Sequence, residues 1–140
     1  MEGLTELESR ILTELEEAGQ EDIDTLINTC MVVKGEASEI DETKIALNSL
    51  VSKGLVSLAT SLGPNNRLAA LPSEAALQIV AEIETCLTFN SVEDHWLFCA
   101  MPKRTDEAAP RVRCPNVVST DEGHAEAQSI LEARGYRWWS

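Results

Sequence analysis

Apolar residues recur at helical spacing from the start of the chain. Leu4, Leu7, Ile11, Leu12 and Leu15 form one stripe, Glu6, Glu14, Glu16 and Glu17 lie off it, and Gly19 closes the segment. That period predicts an amphipathic helix with an acidic outer face. A second helix is expected with Ile23, Leu26, Ile27, Cys30 and Met31 on one side and an end near Lys34 and Gly35. Glu21, Asp22 and Asp24 would occupy its first turn, where the helix dipole favours negative charge. A third, capped by Ser38 or Asp41, turns Ala46, Leu47, Leu50 and Val51 inward and stops at Gly54. Residues 55–59 and 67–71 are short apolar stretches on either side of Gly63, Pro64, Asn65 and Asn66, a composition that closes a hairpin.

Ser73 is placed to cap a fourth helix whose stripe is Ala76, Ile79, Val80, Ile83 and Leu87, ending before Asn90. The last 50 residues alternate less regularly. Residues 95–100 and 111–114 read as strands, the second held to an edge by Pro115, with a polar loop over 102–110 between them. Thr120 or Asp121 then opens a helix that turns Ala127, Ile130 and Leu131 inward and ends at Gly135, leaving Tyr136 to Trp139 as an extended tail. The expected architecture is α+β: residues 1–72 as one unit of three helices and a hairpin, 73–90 as a linking helix, and 91–140 as a small strand–helix appendage.

Three helices followed by a hairpin is the outline of a winged helix, and here the chain resembles a known pattern. Ala46-Leu47-Asn48-Ser49-Leu50-Val51-Ser52-Lys53-Gly54-Leu55-Val56 is similar to the recognition helix and first wing strand of MarR- and PadR-like regulators. Arg67 to Glu74 resembles the second wing strand and the cap of the following helix. The resemblance covers the first 75 residues or so and implies a fold; in such families the fourth helix commonly supports a homodimer.

Charge changes what that fold is expected to bind. The 140 residues carry 24 acidic and 11 basic side chains, a formal net charge of −13. Residues 1–72 alone hold thirteen acidic and five basic side chains, a local charge of −8. Phosphate backbones are neutralised by Lys and Arg, so such a body is repelled from nucleic acid and suits a basic partner. The reading favoured by charge is a non-enzymatic protein-binding module, one version being a nucleic-acid mimic of the kind phage-encoded inhibitors such as anti-CRISPR proteins use. Its partner-binding residues would be Glu14, Glu17, Asp41 and Glu42, with Ile45 and Trp139 as apolar anchors. The alternative is a winged-helix transcription regulator reading DNA with Lys44, Asn48, Ser52 and Lys53, joined by Arg67 from the wing. A basic group of Lys103, Arg104, Arg111 and Arg113 stands apart from the acidic rule.

Catalytic chemistry is poorly provided. His95 and His124 lie in no nucleophile motif, and Glu122 and Glu126 stand two residues from His124 and diverge from it on a helix. No Gly-rich phosphate loop or metal-ligand spacing occurs, so no cofactor or metal is expected. Cys30, Cys86, Cys99 and Cys114 are dispersed and predict reduced thiols, with Cys99 and Cys114 on two strands of one hairpin and able to pair under oxidation. No apolar run reaches the roughly 18 residues a membrane span requires, and the opening residues lack signal-peptide order, which predicts a cytoplasmic protein.

Overall fold

The computed structural model describes residues 3–62, 67–98, 116–136 and 138–139. The protein is α+β. Helix α1 (Glu6–Ala18) is capped by Thr5, whose hydroxyl accepts from the Glu8 N–H, and ends at Gly19. It is followed by strand β1 (Gln20–Asp22), α2 (Ile23–Cys30), α3 (Ala37–Ser52) and the hairpin β2 (Val56–Leu62) and β3 (Arg67–Ala70). Then come α4 (Ser73–Ala81), a 3-10 turn (Ile83–Thr85), β4 (Leu87–Asn90), β5 (His95–Phe98), β6 (Asn116–Ser119) and α5 (Asp121–Arg134).

One antiparallel sheet has the order β1-β6-β2-β3, and β4 and β5 form a second, two-stranded one. The core lies where α1, α2 and α3 meet the inner face of the larger sheet. Ile11, Leu12, Leu15, Ile23, Leu26, Leu47, Leu50, Leu58 and Val117 are all nearly without solvent contact. Register sets this: Val117 of β6 stands opposite both Leu58 of β2 and Glu21 of β1, so these three side chains share one face of the sheet.

Several elements differ from the sequence expectation. Glu21 and Asp22 do not open α2; they form β1, because β6 offers Gln20–Asp22 a partner strand. α2 stops at Cys30 rather than near Lys34, and α3 starts at Ala37, ahead of both Ser38 and Asp41. The helix expected to reach Leu87 ends at Ala81, and Ile83 and Leu87 are buried from a 3-10 turn and a strand instead. A fixed apolar spacing does not distinguish those continuations. The last part of the chain is not a separate appendage: β6 lies inside the N-terminal sheet and α5 packs along α1. α5 itself follows expectation, opened by the Thr120 hydroxyl on the Gly123 N–H and closed at Gly135. The expected strand over 111–114, the loop over 102–110 and the turn at 63–66 lie outside the described residues.

Candidate functional site

The outer face of α3 gathers most of the expected binding residues that the structure describes. Asp41, Glu42, Ile45, Asn48, Ser52 and Lys53 are exposed, and Ile45 keeps 70% of its surface in solvent. Asp41, Ile45, Asn48 and Ser52 follow helical spacing, so they form one stripe while Ala46, Leu47, Leu50 and Val51 face the core.

The cations of this helix are already engaged. Lys44 Nζ lies 2.9 Å from a Glu84 carboxylate oxygen in the 3-10 turn, and Lys53 Nζ lies 3.1 Å from a carboxylate oxygen of Glu8 in α1. Hydrogen bonding to Lys44 holds the Glu84 carboxyl below its ordinary range. Asp41 and Glu42, by contrast, have no ion pair or hydrogen bond from their side chains among the described residues. Beside them α1 and α3 form a shallow groove of about 200 Å3, lined by Thr5, Leu7, Glu8, Glu42, Ile45 and Ala46. Acidic charge and exposed apolar surface therefore adjoin on one side of the molecule.

Other expected site residues are placed differently. Glu14 is buried and no part of an accessible acidic face. Its neighbour is Glu21, which the β1–β6 pairing turns inward, and the two carboxyl groups share a hydrogen bond. Burial, then the Glu14 charge and hydrogen bond, raise the Glu21 carboxyl to about 7. Glu17 is only half-exposed. Trp139 is half-buried and meets Trp138 edge to face at 5.4 Å, and the Arg134 guanidinium sits 3.7 Å over the Trp138 ring while reaching Glu6 at 2.9 Å. Arg67 begins β3, and its side chain lies outside the described residues, as do Lys103, Arg104, Arg111 and Arg113.

Comparison with protein-family models, with curated proteins and with solved structures gave no match. The chemistry must therefore be read from the side chains. His124 Nδ1 lies 2.6 Å from Glu16, where it ties α5 to α1 together with Gln128, and His95 Nδ1 meets the Glu93 carbonyl oxygen at 2.6 Å. Among the described residues no group of three His, Cys, Asp or Glu side chains is arranged to hold a metal ion. Cys30 and Cys86 are both buried. Burial, reinforced by the Glu14 and Glu21 charges, pushes the Cys30 thiol far above its ordinary range, which suppresses the reactive thiolate. Cys99 and Cys114 lie outside the described residues. No described helix is long and apolar enough to cross a membrane.

Sequence reasoning missed Glu39. It is 7% exposed, and its carboxylate accepts from the Lys34 N–H at 2.7 Å, the Gly35 N–H at 3.0 Å and the Trp96 indole N–H at 2.9 Å. Glu39, Thr43, Ala46 and Leu50 fall on one side of α3, so an acid in phase with the core stripe was the available signal. Its role is architectural: it fixes the turn that leads into α3 and anchors β5.

Proposed function

We propose that this chain is a non-enzymatic binding protein, built on a winged-helix scaffold, whose α3 face engages a basic protein partner. The observation that carries this reading is the internal neutralisation of Lys44 by Glu84 and of Lys53 by Glu8, which leaves Asp41, Glu42 and Ile45 as the free chemistry of the helix. A protein groove supplied with Lys and Arg complements that surface in both charge and apolar content. A groove made to receive nucleic acid is one such partner, which makes the protein an inhibitor by mimicry in the manner of phage-encoded anti-CRISPR proteins.

The scaffold part of the reading is supported by element order: α1, β1, α2, α3 and the β2–β3 hairpin follow one another as in a winged helix. The same order favours a second reading, a transcription regulator that presents Asn48 and Ser52 from α3 to DNA. Against it stands the engagement of both lysines beside two free carboxylates at the leading half of that helix.

The test is affinity purification from a nuclease-treated extract with the wild-type chain and with Asp41→Lys combined with Glu42→Lys. Recovery of a basic protein by the wild type, lost with the variant and weakened by salt, is the expected result. DNA fragments recovered without nuclease and lost on Asn48→Ala would replace this reading with the regulator.

A further inference from the structure

The groove between α1 and α3 allows the partner's chemistry to be narrowed, on the reading that the α3 face binds a basic protein. Its two walls differ in kind. Leu7, Ala46 and the exposed Ile45 provide an apolar floor and lip, and Glu42 stands free at the rim. Glu8, also on the lining, is already paired with Lys53. At about 200 Å3 the groove is smaller than the roughly 300–1,000 Å3 of small-molecule sites, and it is open to solvent. That size suits one large apolar side chain delivered from outside.

Charge selects the carrier of that side chain. A second copy docked on this face would bring Asp41 and Glu42 against their own equivalents across a two-fold axis, which is repulsive in a chain of net charge −13. Nucleic acid would bring phosphates to the same carboxylates. A segment with Lys or Arg on either side of a Leu, Ile or Phe satisfies both the rim and the floor. An amphipathic helix offers that arrangement at positions three and four residues apart.

We propose that the α1–α3 groove seats a single large apolar side chain of a basic amphipathic segment from another protein, with Asp41 and Glu42 meeting the cations that flank it. Ile45 closes over the inserted side chain and loses its solvent exposure on binding. Asn48 lies one helical turn further along and can accept or donate to the bound backbone or side chains.

The experiment titrates the full chain, isotope-labelled for NMR, with a synthetic Leu/Lys amphipathic peptide of about 14 residues, roughly four helical turns. The control peptide has every Leu replaced by Ser at unchanged charge. Expected are shifts at Leu7, Ile45 and Ala46, binding about tenfold tighter than the control, and a similar loss for Ile45→Ser. Glu42→Gln should weaken binding and flatten its dependence between about 20 and 200 mM salt. Equal binding of both peptides, or shifts centred away from Leu7 and Ile45, overturns the groove assignment; if Asp41→Lys with Glu42→Lys still abolishes that binding, the acidic-face reading stands without it. Failure of both peptides to bind at about 20 mM salt overturns the groove and the acidic face together. Groove shifts produced by duplex DNA, or a dimer of the free chain dissolved by Ile45→Asp, replace the basic segment with those occupants.

Discussion

Trp96 donates its indole N–H to the buried Glu39 carboxylate across 2.9 Å, joining the second sheet to the first turn of α3. Burial alone would raise this carboxyl, but hydrogen bonds from Trp96 and from the Lys34 and Gly35 backbone outweigh it and hold the group below its ordinary range. A carboxylate lowered in the folded state contributes stability above its unfolded value, near 4.5, and loses it as pH falls through the folded value. Glu39→Gln would turn an NH2 group toward N–H donors. We expect a loss of about 2–4 kcal/mol at neutral pH, read by urea unfolding, and a smaller loss in acid. Equal stability of the variant and wild type would show that the donors find other acceptors.

Asn28 acts as a substitute strand for β5. Its Oδ1 accepts from the Trp96 N–H at 2.8 Å, and its amide donates to the Trp96 carbonyl at 2.9 Å, so both backbone groups of one edge residue are satisfied by one side chain. Asn28→Asp keeps the acceptor and removes the donor. Destabilisation of about 1–2 kcal/mol is expected, together with faster amide hydrogen exchange along His95–Phe98 and little change in β2.

Glu21 has the opposite pH sign to Glu39. Raised to about 7 from 4.5, it holds a proton in the folded protein that the unfolded chain has already released. Its contribution is full below about 4.5 and declines as pH rises toward 7. Asp22 is raised as well, by burial and by Asp24, and adds to the same trend at lower pH. Glu21 is partly solvated, so the effect amounts to about 1–2 kcal/mol. Glu21→Gln should leave stability at pH 5 nearly unchanged, increase it at pH 7.5 and flatten the profile between them. An unchanged slope in the variant would assign the pH dependence to other carboxyl groups.

Gly123 is set by close approach. The Leu55 carbonyl accepts from the Thr120 N–H at 3.1 Å, and a Cβ at Gly123 would overlap that carbonyl oxygen. Backbone cannot move aside as a flexible side chain does. Gly123→Ala should cost about 3 kcal/mol in thermal or urea unfolding, while Ala at the neighbouring exposed Glu122 stays within about 0.5 kcal/mol.

These residues mark where sequence patterning reaches and where it stops. α1, α3 and α5 were legible because an apolar stripe runs up to a glycine in each, at Gly19, Gly54 and Gly135, and Thr120 marks the start of the last. The hairpin was legible from its turn composition. β1 was not, because Gln20, Glu21 and Asp22 are poor strand formers that become a strand only by pairing with residues 116–118. Glu14 lies off the apolar stripe of α1, and its burial follows from what β1 and β6 lay over it. At the candidate site, helix phase puts Asp41, Ile45, Asn48 and Ser52 on the outer side of α3, where all four are exposed, while Lys44 on the same side is half-buried. The engagement of Lys44 and Lys53 was invisible, since their partners are 40 and 45 residues away in the chain.

The central position of β6 also bears on how the chain is made. β1 and β2 never pair with one another; each waits for Asn116–Ser119 to arrive between them. At roughly 5–20 residues per second, the interval between synthesis of β2 and of β6 is about 3–12 s, and through it the half-made sheet offers open strand edges to every neighbouring nascent chain. The emerging segment 1–72 carries a charge of −8 during that wait, and mutual repulsion between copies opposes edge-to-edge pairing until the last strand closes the gap. The acidity of the first 72 residues thus works against edge-to-edge pairing for as long as the place of β6 stands open.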